Sequence, residues 1–167
     1  MDPFQVGVAW LLKAEGVESN DPHDPGGLTR FGISQRAHPD VSVAALTEAE
    51  AIEIYRLRYW SAYRLDRLPP VIAIAVLDAA VNQGPRPAIR MLQHAVRVEM
   101  DGIIGAQTIA ACYRADPDEL LAGYCARRAV YYANLSTFGR FGLGWMRRLF
   151  ALHALCDGLA RRGVVAA

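Results

Sequence analysis

Cysteine is scarce, lysine is almost absent, and no long apolar run occurs. The three cysteines, Cys112, Cys125 and Cys156, form no CxxC pair, which argues against a zinc ribbon or a thioredoxin-type redox motif. An odd number cannot all pair within one chain, so they read as small buried apolar residues. The four histidines (His23, His38, His94 and His153) are scattered and build no ligand cluster, so neither a metal nor another cofactor is expected. No apolar stretch reaches the roughly 18 residues that cross a bilayer, so stable membrane insertion is not expected. The first fifteen residues hold Asp2 and Pro3 and no positive segment ahead of an apolar core; they do not read as a secretory leader, and synthesis in the cytoplasm is the expectation. Charge of one sign is lacking too. Eighteen Lys and Arg stand against 17 Asp and Glu, for a formal net charge of +1, a balance that gives no field to gather nucleic acid. Lys13 is the single lysine, and the arginines crowd the second half. They suit solvated helix faces or a modest basic face toward an anionic polymer.

What is present is a chain of 167 residues, 53% hydrophobic and 21% charged, enough for one globular domain without disulfide or metal staples. Phe4, Val8, Leu11 and Leu12 recur at helical spacing and predict a helix over 3–15, stopped by Gly16. From Gly16 to His38 the period fails in a run dense in Gly, Pro, Asn, Asp and Ser, the mark of a loop with room for a short hairpin. An irregular segment of this length is often functional, and Phe31 and Ile33 are its candidate core anchors. Thr47-Glu-Ala-Glu50 is a capping box that opens a helix over about 48–63. Pro69 and Pro70 start a second helix, VIAIAVLDAAVNQ, apolar nearly all round and therefore the central buried one, closed by Gly84. A break at Gly84–Pro87 leads to IRMLQHAV, and the turn MDGIIGAQT delivers Gln107 and Thr108 into a helix. Asp116–Pro117 caps another over about 117–135, and Gly139–Gly144 separates it from a last one over about 144–162. The fold class expected is all-α: a single helical domain with an irregular arm near the N-terminus.

Glu15 is the first candidate for chemistry. It stands at the end of the first helix, where the partial negative charge of the helix terminus and any burial both raise a carboxyl pKa. A raised pKa is what a general acid needs to stay protonated near neutral pH and to donate to a glycosidic oxygen. Asp24 follows nine positions later and Thr29 five after that, with Asn20, Pro22, Pro25, Gly26 and Gly27 among the residues between. Such a loop can fold back and set Asp24 opposite Glu15, the two-carboxylate arrangement that inverting glycoside hydrolysis uses at about 6.5–9.5 Å. Thr29 would help to hold the attacking water. Asp21 is read as plain turn chemistry.

The run AEGVESNDPHDPGGLTRFGIS resembles the signature of glycoside hydrolase family 108, phage and bacterial N-acetylmuramidases once described as secretion-activating proteins. The resemblance continues through LTEAEAIEIYRLRYW and DAAVNQGPRPAIRMLQ, and then through DGIIGAQT and FGLGWMRRL into what looks like the family's predicted peptidoglycan-binding region. It implies a lysozyme-like domain, with a catalytic region over 1–90 and a binding region over 91–167 packed into the same body. It also implies Glu15 as the catalytic acid, with Asp24 and Thr29 supporting it. The family's second glycine after the acid is Val17 here, and its closing GIT is Gly32-Ile33-Ser34. Neither departure removes a group with acid–base capacity.

Asp78 and Asn82 lie four apart on the apolar helix and share a face, with Gln83 beside them. Buried polar groups must be satisfied, here either by the fold or by the acetamido and hydroxyl groups of a sugar. Tyr55, Tyr59 and Trp60 are open to the same two readings, core or sugar platform, and Tyr59 joins Asp78, Asn82 and Gln83 as a candidate substrate contact. Trp145 is most simply a packing anchor.

The expectation is a monomeric peptidoglycan hydrolase cutting between N-acetylmuramic acid and N-acetylglucosamine. It would be a phage or prophage endolysin made in the host cytoplasm, released to the periplasmic wall with the help of a holin-like partner. A non-catalytic peptidoglycan-binding or secretion-assisting protein is the alternative. An amidase or peptidase is disfavoured because no zinc cluster or Cys/His pair is present, and a lytic transglycosylase would differ by leaving anhydro-muramic ends.

Overall fold

The spacing of Phe4, Val8 and Leu11 turns one stripe of helix α1 (Pro3–Glu15) inward, and all three side chains are buried. The computed structural model describes residues 1–15, 18–19 and 28–163. After α1 come three two-residue strands, β1 (Glu18–Ser19), β2 (Thr29–Arg30) and β3 (Ile33–Ser34), which form an antiparallel sheet in that order. Its register pairs Glu18 with Arg30, Ser19 with Thr29, and Arg30 with Ile33. Phe31 and Gly32 alone join β2 to β3, and both have positive φ, 53° and 76°. That is the backbone a two-residue type I′ turn demands; glycine adopts it freely and phenylalanine against steric resistance. Two contacts hold Phe31 there: its ring is buried, and its carbonyl accepts the Tyr55 hydroxyl at 2.8 Å.

Helix α2 (Glu48–Tyr55) opens with the expected capping box: Glu50 N–H donates to the Thr47 hydroxyl, and Thr47 N–H donates back to the Glu50 carboxylate at 2.8 Å. It does not continue as regular helix to residue 63. Over Arg56–Ser61 it widens into a π turn, a feature that often marks a functional region and that hydrophobic spacing does not announce. Helix α3 (Pro70–Gln83) is central, with eleven of its fourteen residues buried, and stops at Gly84, whose φ of 88° a side chain would resist. The remaining helices are α4 (Pro85–Ala95), α5 (Ala106–Arg114), α6 (Pro117–Ala133) and α7 (Phe138–Arg161). Pro85 and Pro87 fall in the first turn of α4, where a missing N–H is harmless, so the interruption shrinks to Gly84.

One boundary differs more. Gly139, Gly142 and Gly144 were expected to separate the last two helices, yet all three lie inside α7, and the break falls at 134–137. Tertiary packing overrides glycine's poor helix propensity. Trp145 stacks on Tyr132 of α6 with ring centroids 4.9 Å apart, and Phe138 and Phe141 close around it.

Helices α1, α4, α6 and α7 all pack on α3. Helix α1 comes close to α3 at Gly7, where an added Cβ would sit 3.0 Å from Leu77 Cδ2. One hydrophobic core draws on both halves of the chain, from Phe4 to Leu159. Among the described residues no helix is long and apolar enough to cross a membrane.

Candidate active site

Contacts between α1 and α3 advance in the same direction along both helices. Gly7 faces Ile74 and Leu77, and one turn on, Trp10 Nε1 donates to Asp78 Oδ1 at 2.9 Å. The helix ends at Glu15 and at Gln83 therefore lie on the same side of the molecule. Glu18 in β1 is three residues beyond Glu15, a span of at most about 11 Å. The β1–β2 pairing then sets Thr29 opposite Ser19, about 5 Å across. The backbone thus gathers the end of α1, Thr29 and the end of α3 into one region. Glu15 closes α1 through its backbone, while its side chain and Asp24 lie outside the described residues.

Beneath this region is a buried ionic cluster. Asp78 is fully buried, and its Oδ1 accepts from Trp10 and, at 2.7 Å, from Arg148 Nη2; Oδ2 accepts from Arg128 Nη2 at 2.7 Å. Arg128 Nε donates to Gln83 Oε1 at 2.8 Å, while Gln83 Nε2 and Arg128 Nη1 are buried without a hydrogen-bond partner among the described residues. Burial opposes ionisation of Asp78, but the two guanidinium groups outweigh it and hold the carboxyl below its ordinary value. Both carboxylate oxygens are occupied, so Asp78 offers a sugar no open surface. Gln83, at 8% exposure, offers little more. Asn82 is exposed, and its Nδ2 donates to the Asp78 carbonyl at 2.8 Å.

Tyr59 belongs to a second polar chain that the sequence did not reveal. Arg58, carried on the π turn, donates to both oxygens of Asp40 and, through Nη1, to His38 Nδ1 at 3.2 Å. Arginine has no acceptor, so His38 Nδ1 must accept, and its Nε2–H then donates to the Tyr59 hydroxyl at 3.1 Å. Burial and the adjacent Arg58 both lower the His38 pKa, in keeping with that neutral tautomer. Nothing in the spacing of His38, Asp40 and Arg58 marks them as partners. The twenty positions from His38 to Arg58 are closed by the turn at Gln35–Val41 and by α2. Tyr55 and Trp60 are buried: Tyr55 holds the Phe31 turn, and Trp60 meets Phe4 edge to face.

A cleft of about 430 Å³ beside this chain contains Asp40, Glu50 and Glu53, which raises the question of a second acid. The chemistry excludes Asp40 and Glu50. Hydrogen bonding to Arg58 takes Asp40 down to about 2, and donation from Thr47 lowers Glu50. Every carboxyl group among the described residues whose pKa is shifted (Asp40, Glu50, Asp78 and Asp101) is shifted downward. A general acid needs the opposite. Among the described residues no group of His, Cys, Asp and Glu could hold a metal ion.

Comparison with known proteins fits this arrangement. The family model "Glycosyl hydrolase 108" matches residues 8–84, and "Predicted Peptidoglycan domain" matches residues 87–150. No curated protein matches the chain. The solved structure of Brucella abortus SagA is similar at 34% identity and a TM-score of 0.90, over 97% of this chain and 98% of that one. With a hydrolase segment followed by a peptidoglycan segment, and a close structural relative along nearly the whole length, the chain belongs to glycosyl hydrolase family 108, a peptidoglycan-acting glycoside hydrolase.

Proposed function

We propose that the protein is an N-acetylmuramidase that cuts the bond from N-acetylmuramic acid to N-acetylglucosamine, with Glu15 as the proton donor. The observation that carries this reading is the convergence at one end of the central helix. The last residue of α1, the strand bearing Thr29 and the exposed Asn82 meet there. None of the shifted carboxyl groups among the described residues is shifted in the direction that acid catalysis requires.

Glu15, at the negative end of α1, would stay protonated long enough to donate to the bridging oxygen. Asp24 would stabilise the oxocarbenium-like charge or orient water, and Thr29 would hold that water. Asn82 and Tyr59 would contact sugar directly, whereas Asp78 and Gln83 would keep α1 and α3 in register from beneath. In this proposal residues 1–90 perform the chemistry and residues 91–167 hold the wall. A phage or prophage endolysin acting in the periplasm, reached with a holin-like partner, is the setting the motif suggests.

The test is Glu15→Gln, which preserves size and removes the acid. Purified sacculi incubated with wild type should release new reducing ends, and mass spectrometry should show hydrated muramic ends rather than anhydro ones. The variant should lose activity by about a hundredfold to ten-thousandfold, because a general acid contributes about 10²–10⁴ and the amide cannot donate the proton in its place. Wild-type release of reducing ends by Glu15→Gln removes Glu15 from the mechanism. Sacculus binding by wild type with no new ends makes the protein a binder.

A further inference from the structure

A second groove lies at the opposite end of α1 from Glu15, and we infer that it binds peptidoglycan strands through their sugar rings and acidic stem peptides. Leu65 and Leu68 are buried and tie down the short turn over residues 65–67, so that Asp66 and Arg67 between them are exposed. Arg64, at the start of that turn, holds a φ of 58°, a left-handed backbone that a side chain adopts only against steric resistance. Its Nη1 donates to the Ile104 carbonyl at 3.3 Å, which bridges the two family segments. The loop that receives it is itself pinned: Gln93 donates to Asp101 and to the Ile103 carbonyl and accepts from Gly102 N–H at 2.9 Å.

Across from the turn, α5 presents Ala106, Ile109, Ala110 and Tyr113 to the groove. These positions are spaced three, four and seven apart, so they form one helix face; the opposite face, with Thr108, Ala111 and Cys112, is buried. The two alanines leave the floor beside Tyr113 clear, and the ring is 53% exposed. The groove measures about 500 Å³, and beyond Tyr113 it continues into a recess of about 150 Å³ bounded by Pro3 and Trp60. Arg67 enters none of the ion pairs among the described residues.

The chemistry of this groove is specific. An exposed ring on an open floor suits the face of a pyranose, and guanidinium groups suit carboxylates. Peptidoglycan carries both, because each muramic residue bears a stem peptide with free carboxylates. The thirteen residues of α1 put this groove about 18 Å from the Glu15 end, so a strand held here is gripped outside the cleavage site. The inference rests on the reading of the chain as a wall-acting protein, and it assigns the contact to residues that straddle the two family segments rather than to the second segment alone.

Co-sedimentation with purified insoluble sacculi tests it, with Arg67→Glu, Tyr113→Ala and the double variant. Arg127→Glu on the exposed face of α6 is the control for a general charge effect. Unchanged circular dichroism and melting temperature establish that each variant is folded. Each single variant should bind about fivefold more weakly, as loss of one exposed contact implies, and Arg127→Glu should bind as wild type. On glycan strands stripped of peptide by an amidase, the Arg67 effect should vanish and the Tyr113 effect persist. Hydrolysis of short soluble muropeptide oligomers, too small to reach the groove, should be unchanged. Wild-type retention of the double variant on sacculi overturns the inference, as does wild type that fails to sediment at all. Wild type that sediments but liberates no reducing ends overturns the hydrolase reading instead, and the retention ratios still judge the groove.

Discussion

Replacing Asp78 by asparagine keeps the shape of the side chain and removes its charge. Arg128, fully buried, then loses its one anionic partner among the described residues, and Arg148, 15% exposed, loses the same carboxylate. Removing one member of a buried ion pair typically costs about 3–5 kcal/mol, because the charge left behind is neither hydrated nor neutralised. That is a large share of the roughly 5–15 kcal/mol by which a domain is stable. For a chain of this length it corresponds to a drop in melting temperature of about 6–20 °C. Urea titration followed by circular dichroism should show an earlier midpoint with an unchanged slope. The double variant Asp78→Leu with Arg128→Met removes both buried charges and should recover most of the loss, since the cost lies in the unpaired ion and not in the absent pair. The acid limb carries a further sign. The folded pKa of Asp78 lies below its ordinary value, so its stabilisation is present above the usual carboxylate range and is lost as pH falls through the depressed value. Asp78→Asn should flatten that limb. A loss of less than about 1 kcal/mol in Asp78→Asn, or a double variant worse than both singles combined, refutes the reasoning.

Three further outcomes follow from local geometry. Thr47→Ala removes the side chain that closes the capping box of α2 and should cost about 1 kcal/mol by urea unfolding. Burial pushes Cys112 and Cys156 up to about 12 and Cys125 up to about 11; all three should resist a thiol reagent at pH 8 until urea unfolds the chain. His38 has a folded pKa below the ordinary imidazole value of 6.5, so its neutral form is favoured by folding and its contribution is present above that pH and lost as pH falls below it. His38→Gln should therefore remove part of the slope of stability below about pH 6.5, measured by denaturant titration.

How much of the site was legible depends on the kind of signal. Capping chemistry is local, and Thr47 and Glu50 announce α2 correctly because both groups lie within one turn. The nearly all-apolar run at 70–83 could only be a buried helix, and it is one. Phe31 and Ile33 are core anchors of the arm as their isolation among polar residues suggested. The glycines at 139–144 misled for a matching reason: propensity is local, whereas the stack of Trp145 on Tyr132 is not. Partnerships across long sequence separations left no trace. Asp78 meets Arg128 over fifty positions and Arg148 over seventy, and no spacing rule predicts which of seventeen arginines an aspartate will find.

The sequence by itself determined the helices, their caps, the apolar central segment and the motif that places an acid at the end of the first helix. All of these depend on residues within a turn or two of one another. Only the tertiary structure decided that α1 runs alongside α3 in the same sense, that the π turn over Arg56–Ser61 carries Arg58 to His38, and that Asp78 is consumed by two arginines. It also decided that Tyr113 faces an open groove instead of the core. Those outcomes depend on which helix faces meet, and that choice is made by the packing of the whole chain at once.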